Sequence, residues 1–225
     1  VGLGGYAAYK TIDDIIEKSK IKIVKDVTSG ELLSAYVNAP FDIGKELLEK
    51  EGYEIISLEE NARLRMQEGY RTKVTNDLNW VKEAIIYVPE KGAFLTKKSP
   101  IMENPKEATD CHRKGIEYYL TDEQVEKALE NAVQIKNTEI PTNKFKDYEE
   151  TVFAFGDVAE EYGEFLRKNN NKKIHVLTAG LKEKPFSRPL FFHGVVGMFT
   201  ISGNFNIGLC YGQSLRGVSK KIYLS

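Results

Sequence analysis

The sequence predicts a mixed α/β to α+β fold, and three observations carry that prediction. Helix starts are marked by capping pairs, short β-type runs lie between them, and the last quarter reads as an antiparallel, glycine-rich hairpin. With 225 residues, 41% of them hydrophobic, the chain has enough apolar material to bury a core.

The helix starts are the plainest signals. Thr121-Asp-Glu-Gln124 forms a capping box ahead of Val125, Ala128, Leu129 and Ala132, which recur at i, i+3, i+4 and i+7. Ser57-Leu-Glu-Glu60 opens a helix carrying Ala62 and Met66, and Thr11 opens a shorter one. Asp157-Val-Ala-Glu160 does the same for Ala159, Tyr162, Phe165 and Leu166.

Strands are expected at 21–24, 53–56, 84–88, 151–155 and 173–177. Ala84 to Val88 and Ala93 to Thr96 flank Pro89 and Gly92, the composition of a hairpin turn. Thr151 to Phe155, a helix and then Ile174 to Leu177 have the spacing of a β-α-β unit with parallel strands. Residues 97–107 hold two prolines and little apolar periodicity, so a linker is placed at 99–108 between halves 1–98 and 109–225, with a single compact domain as the alternative. In the hairpin, a loop at Ser202 to Asn204 pairs Ile201 with Phe205, Phe199 with Ile207 and Val195 with Tyr211, keeping one face apolar. That register sets His193 opposite Gln213.

Composition excludes several classes. No run approaches the roughly 20 apolar residues of a membrane helix, and residues 1–6 lack the pattern of a signal peptide. A soluble, cytoplasmic protein is expected. Cys111 and Cys210 are far apart and lack paired spacing, so no metal centre is expected and no cofactor is assigned. Cys111-His112 resembles a nucleophile and base, but adjacent residues diverge on any regular element. Neither GxGxxG nor GxxxxGK[ST] occurs in a fitting context.

Charge is the most informative compositional fact. The net charge is −3 over residues 1–110, −5 over 111–170 and +7 over 171–225, and no acidic side chain follows Glu183. Such asymmetry points to an anionic partner or to an acidic protein surface. Arg188 and Arg216 are therefore the expected ligand-binding cations, with Gln213, Thr178 and Gly180 beside them. His193 is the candidate proton carrier. Asp157 is a second catalytic candidate, at the carboxyl edge of the expected parallel strands, although its spacing to Glu160 equally suits a helix cap. Asp26 to Gly30 is read as a helix N-terminus whose backbone N–H groups can hold an anion, or more simply as a helix start with Ser29 as cap.

Three functions follow. The first is a binding protein or enzyme for a small anionic ligand bearing a phosphate or nucleotide. The second is an interaction or assembly protein whose basic end docks on an acidic face, such as residues 111–170 of a neighbouring copy in a homo-oligomer. The third is a nucleic-acid binder using Phe199, Phe205 and Tyr211 as stacking groups.

Overall fold

The structure is a computed structural model, and it describes residues 21–195, 198–202 and 214–220. Among these residues twelve strands form one mixed sheet. They are β1 (Ile23–Val27), β2 (Leu32–Asn38), β3 (Glu54–Ile55), β4 (Asn79–Val88), β5 (Gly92–Thr96), β6 (Tyr118–Tyr119), β7 (Ala132–Gln134), β8 (Glu139–Pro141), β9 (Lys173–Leu177), β10 (Phe186–Val195), β11 (Met198–Ser202) and β12 (Ser214–Lys220). The order is β1-β2-β12-β4-β10-β11-β9-β8, with β3 on β12, β5 on β4, β7 on β5 and β6 on β10. The helices are α1 (Phe41–Lys50), α2 (Leu58–Glu68), α3 (Lys73–Asn76), α4 (Pro100–Glu103), α5 (Pro105–Arg113), α6 (Asp122–Leu129), α7 (Glu149–Phe155) and α8 (Ala159–Lys168).

β4 shows why the sheet is covered on both faces. Its side chains alternate, so Val81, Ile85 and Tyr87 enter one core while Trp80, Ile86 and Val88 enter the other. The first core receives Leu58 and Ala62 of α2, Phe155 of α7 and Tyr162 of α8; the second receives Leu48 of α1, Ile101 of α4, Ala108 of α5 and Ala128 of α6. Two-sided burial accounts for the unbroken apolar run Ala84-Ile-Ile-Tyr-Val88.

Several expected elements are present as read. Both capping boxes close: Ser57 Oγ accepts from Glu60 N–H, Thr121 Oγ1 accepts from Gln124 N–H, and each third residue returns a bond to its cap. β4 and β5 pair as the expected hairpin, with Ile86 opposite Phe94 and Val88 opposite Gly92. β9 matches the expected strand at 173–177.

Others differ for physical reasons. Residues 151–155 belong to α7, not to a strand. Thr151 Oγ1 donates back to the carbonyls of Phe145 and Tyr148. Thr151, Ala154 and Phe155 are buried on one helical face while Val152 is exposed, a period that so short a run does not reveal. The β-α-β unit at this place is therefore absent. β9 does run parallel, but to β11, with Leu177 beside Ser202.

The hairpin is also shifted. β10 and β11 pair with Val195 opposite Met198, so the reversal lies earlier than Ser202 to Asn204. Both edges of β11 are occupied, by β10 and by β9; the expected partners Phe205 and Ile207 lie outside the described residues. Residues 203–213, including Gln213, lie outside the described residues.

Residues 26–30 open no helix. They close the β1–β2 hairpin, where Gly30 has φ of 100° and Gln67 donates to the carbonyls of Ser29 and Leu32. The stretch 99–108 contains α4 and the start of α5, with Ile101 and Ala108 buried. β12, from the second half of the chain, is hydrogen-bonded to β2 and β4 from the first. Where β12 and β4 diverge, Ile56 bridges them: its N–H donates to Arg216 O at 3.0 Å and its carbonyl accepts from Lys82 N–H at 2.9 Å.

Candidate functional site

Two segments distant in sequence, 113–120 and 178–188, are laid side by side. β6 pairs with the start of β10, Phe186 opposite Tyr119 and Ser187 opposite Tyr118, and Leu120 N–H donates to Pro185 O at 2.9 Å. One residue further, Glu117 and Arg188 meet through two hydrogen bonds, from Nε at 3.2 Å and from Nη2 at 2.5 Å. Lys182 Nζ also reaches Glu117, at 2.8 Å. Burial alone would raise the Glu117 pKa, but the bonds from Arg188 and Lys182 outweigh it and hold the carboxylate below its ordinary range.

An aromatic row underlies this cluster. Tyr87, Phe186 and Tyr119 are cross-strand neighbours on three adjacent strands, so they share one face. The Tyr87 and Phe186 rings stack 4.4 Å apart at 9°. Tyr87 Oη accepts from Ala179 N–H at 2.9 Å, and burial pushes its own pKa up to about 12. The segment after β9 is thus pinned at Ala179 and again at Lys182.

These two segments also carry three exposed apolar side chains. Ile116 is 54% exposed, Tyr119 46% and Leu181 50%. Ile116 and Leu181 flank the Glu117–Lys182 ion pair in sequence, and Tyr119 lies two residues along from Glu117. Of the large hydrophobic side chains exposed among the described residues, only Val24 and Val152 lie elsewhere. The charges on and beside these segments are mixed: Lys182 pairs with Glu117, Arg113 has Asp110 at 3.7 Å, Lys114 lines a cleft with Glu103, Glu107 and Asp110, and Lys184 follows Glu183. His112 is half-buried beside the pair; burial lowers its pKa, Glu117 opposes that and Arg188 adds to it, which favours the neutral imidazole.

The second expected cation, Arg216, is wholly buried elsewhere. Its Nη1 donates to both oxygens of Asp26, at 2.8 and 2.7 Å, and to Ser34 Oγ at 2.7 Å, while Nε donates to Asn79 Oδ1 at 2.7 Å. Arg188 and Arg216 therefore answer to separate internal carboxylates and do not converge on one opening. Asp157 is exposed in a 3-10 turn ahead of α8, whose N-terminal residue Val158 makes no side-chain cap. His193 lies in β10 opposite Thr200; its expected partner Gln213 lies outside the described residues. Thr178 and Gly180 lie just beyond the paired ends of β9 and β11, next to Leu181. Among the described residues no group of His, Cys, Asp and Glu is arranged to hold a metal.

No family model matches this chain, and no curated protein matches it. A solved structure from work on Nanoarchaeota, in which the C-type lectin fold accommodates massive sequence variation, superposes with a TM-score of 0.60. The likeness is one of fold. Identity is 13%, over 87% of this chain and 100% of that one. No helix among the described residues is long and apolar enough to cross a membrane.

Sequence reasoning missed Glu117, Tyr119 and Leu181. A faint signal existed: Lys114-Gly-Ile-Glu117 and Ala179-Gly-Leu-Lys182 both set an aliphatic residue between a glycine and a charge, outside any periodic pattern.

Proposed function

We propose that this protein is a non-enzymatic recognition module, and that its binding surface is the platform formed by residues 113–119 and 178–184. The observation that carries this reading is that two segments paired across the sheet, and held by the Glu117–Arg188–Lys182 bonds and the Tyr87–Phe186 stack, carry three exposed apolar side chains, Ile116, Tyr119 and Leu181. Exposed apolar surface rimmed by polar residues marks interaction sites. A frame fixed by buried bonds limits the ordering cost of binding.

Two further points support it over a small-anion site. Both arginines expected to neutralise a ligand are already neutralised inside the protein, and exposing either charge to a ligand would leave a buried carboxylate unpaired. A C-type lectin-like fold that accommodates massive sequence variation in another protein suits a scaffold whose specificity resides in surface side chains. Fold alone does not assign function, so the reading rests on the platform.

The test is a displayed random-peptide library panned against the wild type and against Leu181→Asp. Enrichment of a shared motif on the wild type alone supports the reading. Equal enrichment on both proteins, or none on either, overturns it.

A further inference from the structure

We infer that residues 178–184 form a salt-sensitive strap, latched by Lys182, that opens while the rest of the fold stays closed. The sheet sets its limits. The ladder of β9 and β11 ends at Leu177 beside Ser202, and pairing resumes at Phe186, opposite Tyr87 and Tyr119. Between those points no residue belongs to a strand or a helix. Residues 180–184 are exposed, and a Cβ added at Gly180 would meet nothing within 4 Å. Pro185, whose ring restricts the backbone, closes the segment, its carbonyl held by Leu120 N–H at 2.9 Å.

Two contacts hold the strap down. Ala179 N–H donates to Tyr87 Oη at 2.9 Å, and its half-buried methyl packs on the first core. Three residues on, Lys182 Nζ reaches Glu117 at 2.8 Å and stands 5.6 Å from the centre of the Phe186 ring. The first contact is between neutral groups. The second is an ion pair whose lysine side chain is 43% exposed, so dissolved salt screens it.

The latch is asymmetric, and the asymmetry lets it open. When Lys182 leaves, Glu117 keeps both bonds from Arg188, at side-chain exposures of 7% and 11%. Parting Glu117 from Arg188 would strand a buried charge, whereas parting it from Lys182 returns an ammonium to water. The segment also takes little apolar surface with it, since Leu181 is already 50% exposed. Few buried contacts and exposed backbone are the marks of a local opening of low free energy. In the open form the ammonium no longer stands over Phe186, and Leu181 moves with the strap. The proposed platform then has an assembled and a released state; that consequence rests on the recognition reading above, whereas the strap itself does not.

The experiment is amide hydrogen exchange followed by NMR on the full chain, with Ala179 N–H reporting the strap and Leu120 N–H reporting the frame. Raising sodium chloride from about 50 mM to about 500 mM should speed exchange at Ala179 about threefold and leave Leu120 unchanged. Lys182→Met should speed Ala179 about fivefold at low salt and abolish its salt dependence, with Leu120 and the melting temperature unmoved. Lys182→Arg keeps the charge and should restore both the protection and the salt dependence.

Exchange at Ala179 that ignores Lys182→Met overturns the inference, because the two contacts then do not open as one unit. Equal acceleration at Leu120 also overturns it, because the opening then belongs to the whole frame. Neither result touches the recognition reading, which falls only if the peptide library fails.

Discussion

Arg188 donates to both carboxylate oxygens of Glu117 across 71 residues of sequence, Nε to Oε2 at 3.2 Å and Nη2 to Oε1 at 2.5 Å. The bond ties the start of β10 to the strand that carries Tyr119, and so fixes the two halves of the proposed platform to each other. Removing one partner leaves the other charge buried and unpaired. Glu117→Ala should cost about 3 kcal/mol in urea unfolding. Glu117→Leu/Arg188→Met should recover much of that loss, since packed apolar groups replace a buried pair at little cost. Simple additivity of the two single changes would contradict this account.

Gly163 offers a prediction whose sign opposes helix propensity. It lies inside α8, where alanine is normally favoured over glycine by about 1 kcal/mol. A Cβ added there would stand 2.3 Å from the carbonyl oxygen of Thr142 and 3.2 Å from the Phe145 ring. The carbonyl is backbone and has little room to yield, so Gly163→Ala should destabilise by about 2 kcal/mol. A rise in melting temperature would show that α8 is not held against residues 142–147.

Glu83 makes stability depend on pH. It is 2% exposed and its Oε2 accepts from Leu58 N–H at 3.0 Å, at the start of α2. Burial raises its pKa from 4.5 to about 7, against opposing bonds from backbone N–H groups and the fields of Lys82 and Lys97. The folded value exceeds the unfolded one. The contribution is thus complete below about pH 4.5 and is lost as pH rises through about 7. Glu83→Gln keeps an acceptor for Leu58 without a charge to bury, so it should be more stable than the wild type at pH 8, by on the order of 2 kcal/mol. The two should converge at pH 5. Parallel stability curves across that range would remove Glu83 as the cause.

The two capping boxes should each be worth about 1 kcal/mol. Ser57→Ala and Thr121→Ala remove the acceptors for Glu60 and Gln124 N–H. The caps share no partner, so the double variant should lose the sum. A coupling above about 0.5 kcal/mol would mean that the helix ends communicate.

Those caps were legible because they are local: donor, acceptor and spacing all fall within four residues. The hairpin of β4 and β5 was legible for the same reason, since Pro89 and Gly92 punctuate it. Thr151 to Phe155 was misread because a threonine followed by four apolar residues satisfies a buried strand and a buried helix alike, and the deciding carbonyls belong to Phe145 and Tyr148. The arginines were misread for a related reason. Sequence shows that Arg188 and Arg216 are basic in an acid-poor stretch, but Glu117 and Asp26 lie 71 and 190 positions away. Local charge counts do not see such partners. Ile116, Tyr119 and Leu181 left even less trace, because exposure is a property of what fails to cover a side chain.

The position of β12 gives folding a direction in time. Residues 214–220 supply a strand between β2 and β4, and Arg216 at its centre satisfies Asp26, Ser34 and Asn79 at once. During synthesis, β1–β2 and the β4–β5 hairpin emerge 118 residues or more before the strand that joins them, the hairpin ending at Thr96 and β12 starting at Ser214. Until then Asp26 lacks its counter-ion, and one edge of β2 lacks a neighbour to cap its backbone. Pairings of such long sequence separation are slow to form, and an unpaired edge invites foreign strands. A ribosome-bound chain stalled before residue 214 is therefore expected to hold two fragments of sheet, and release of the last strand is the step that makes them one molecule.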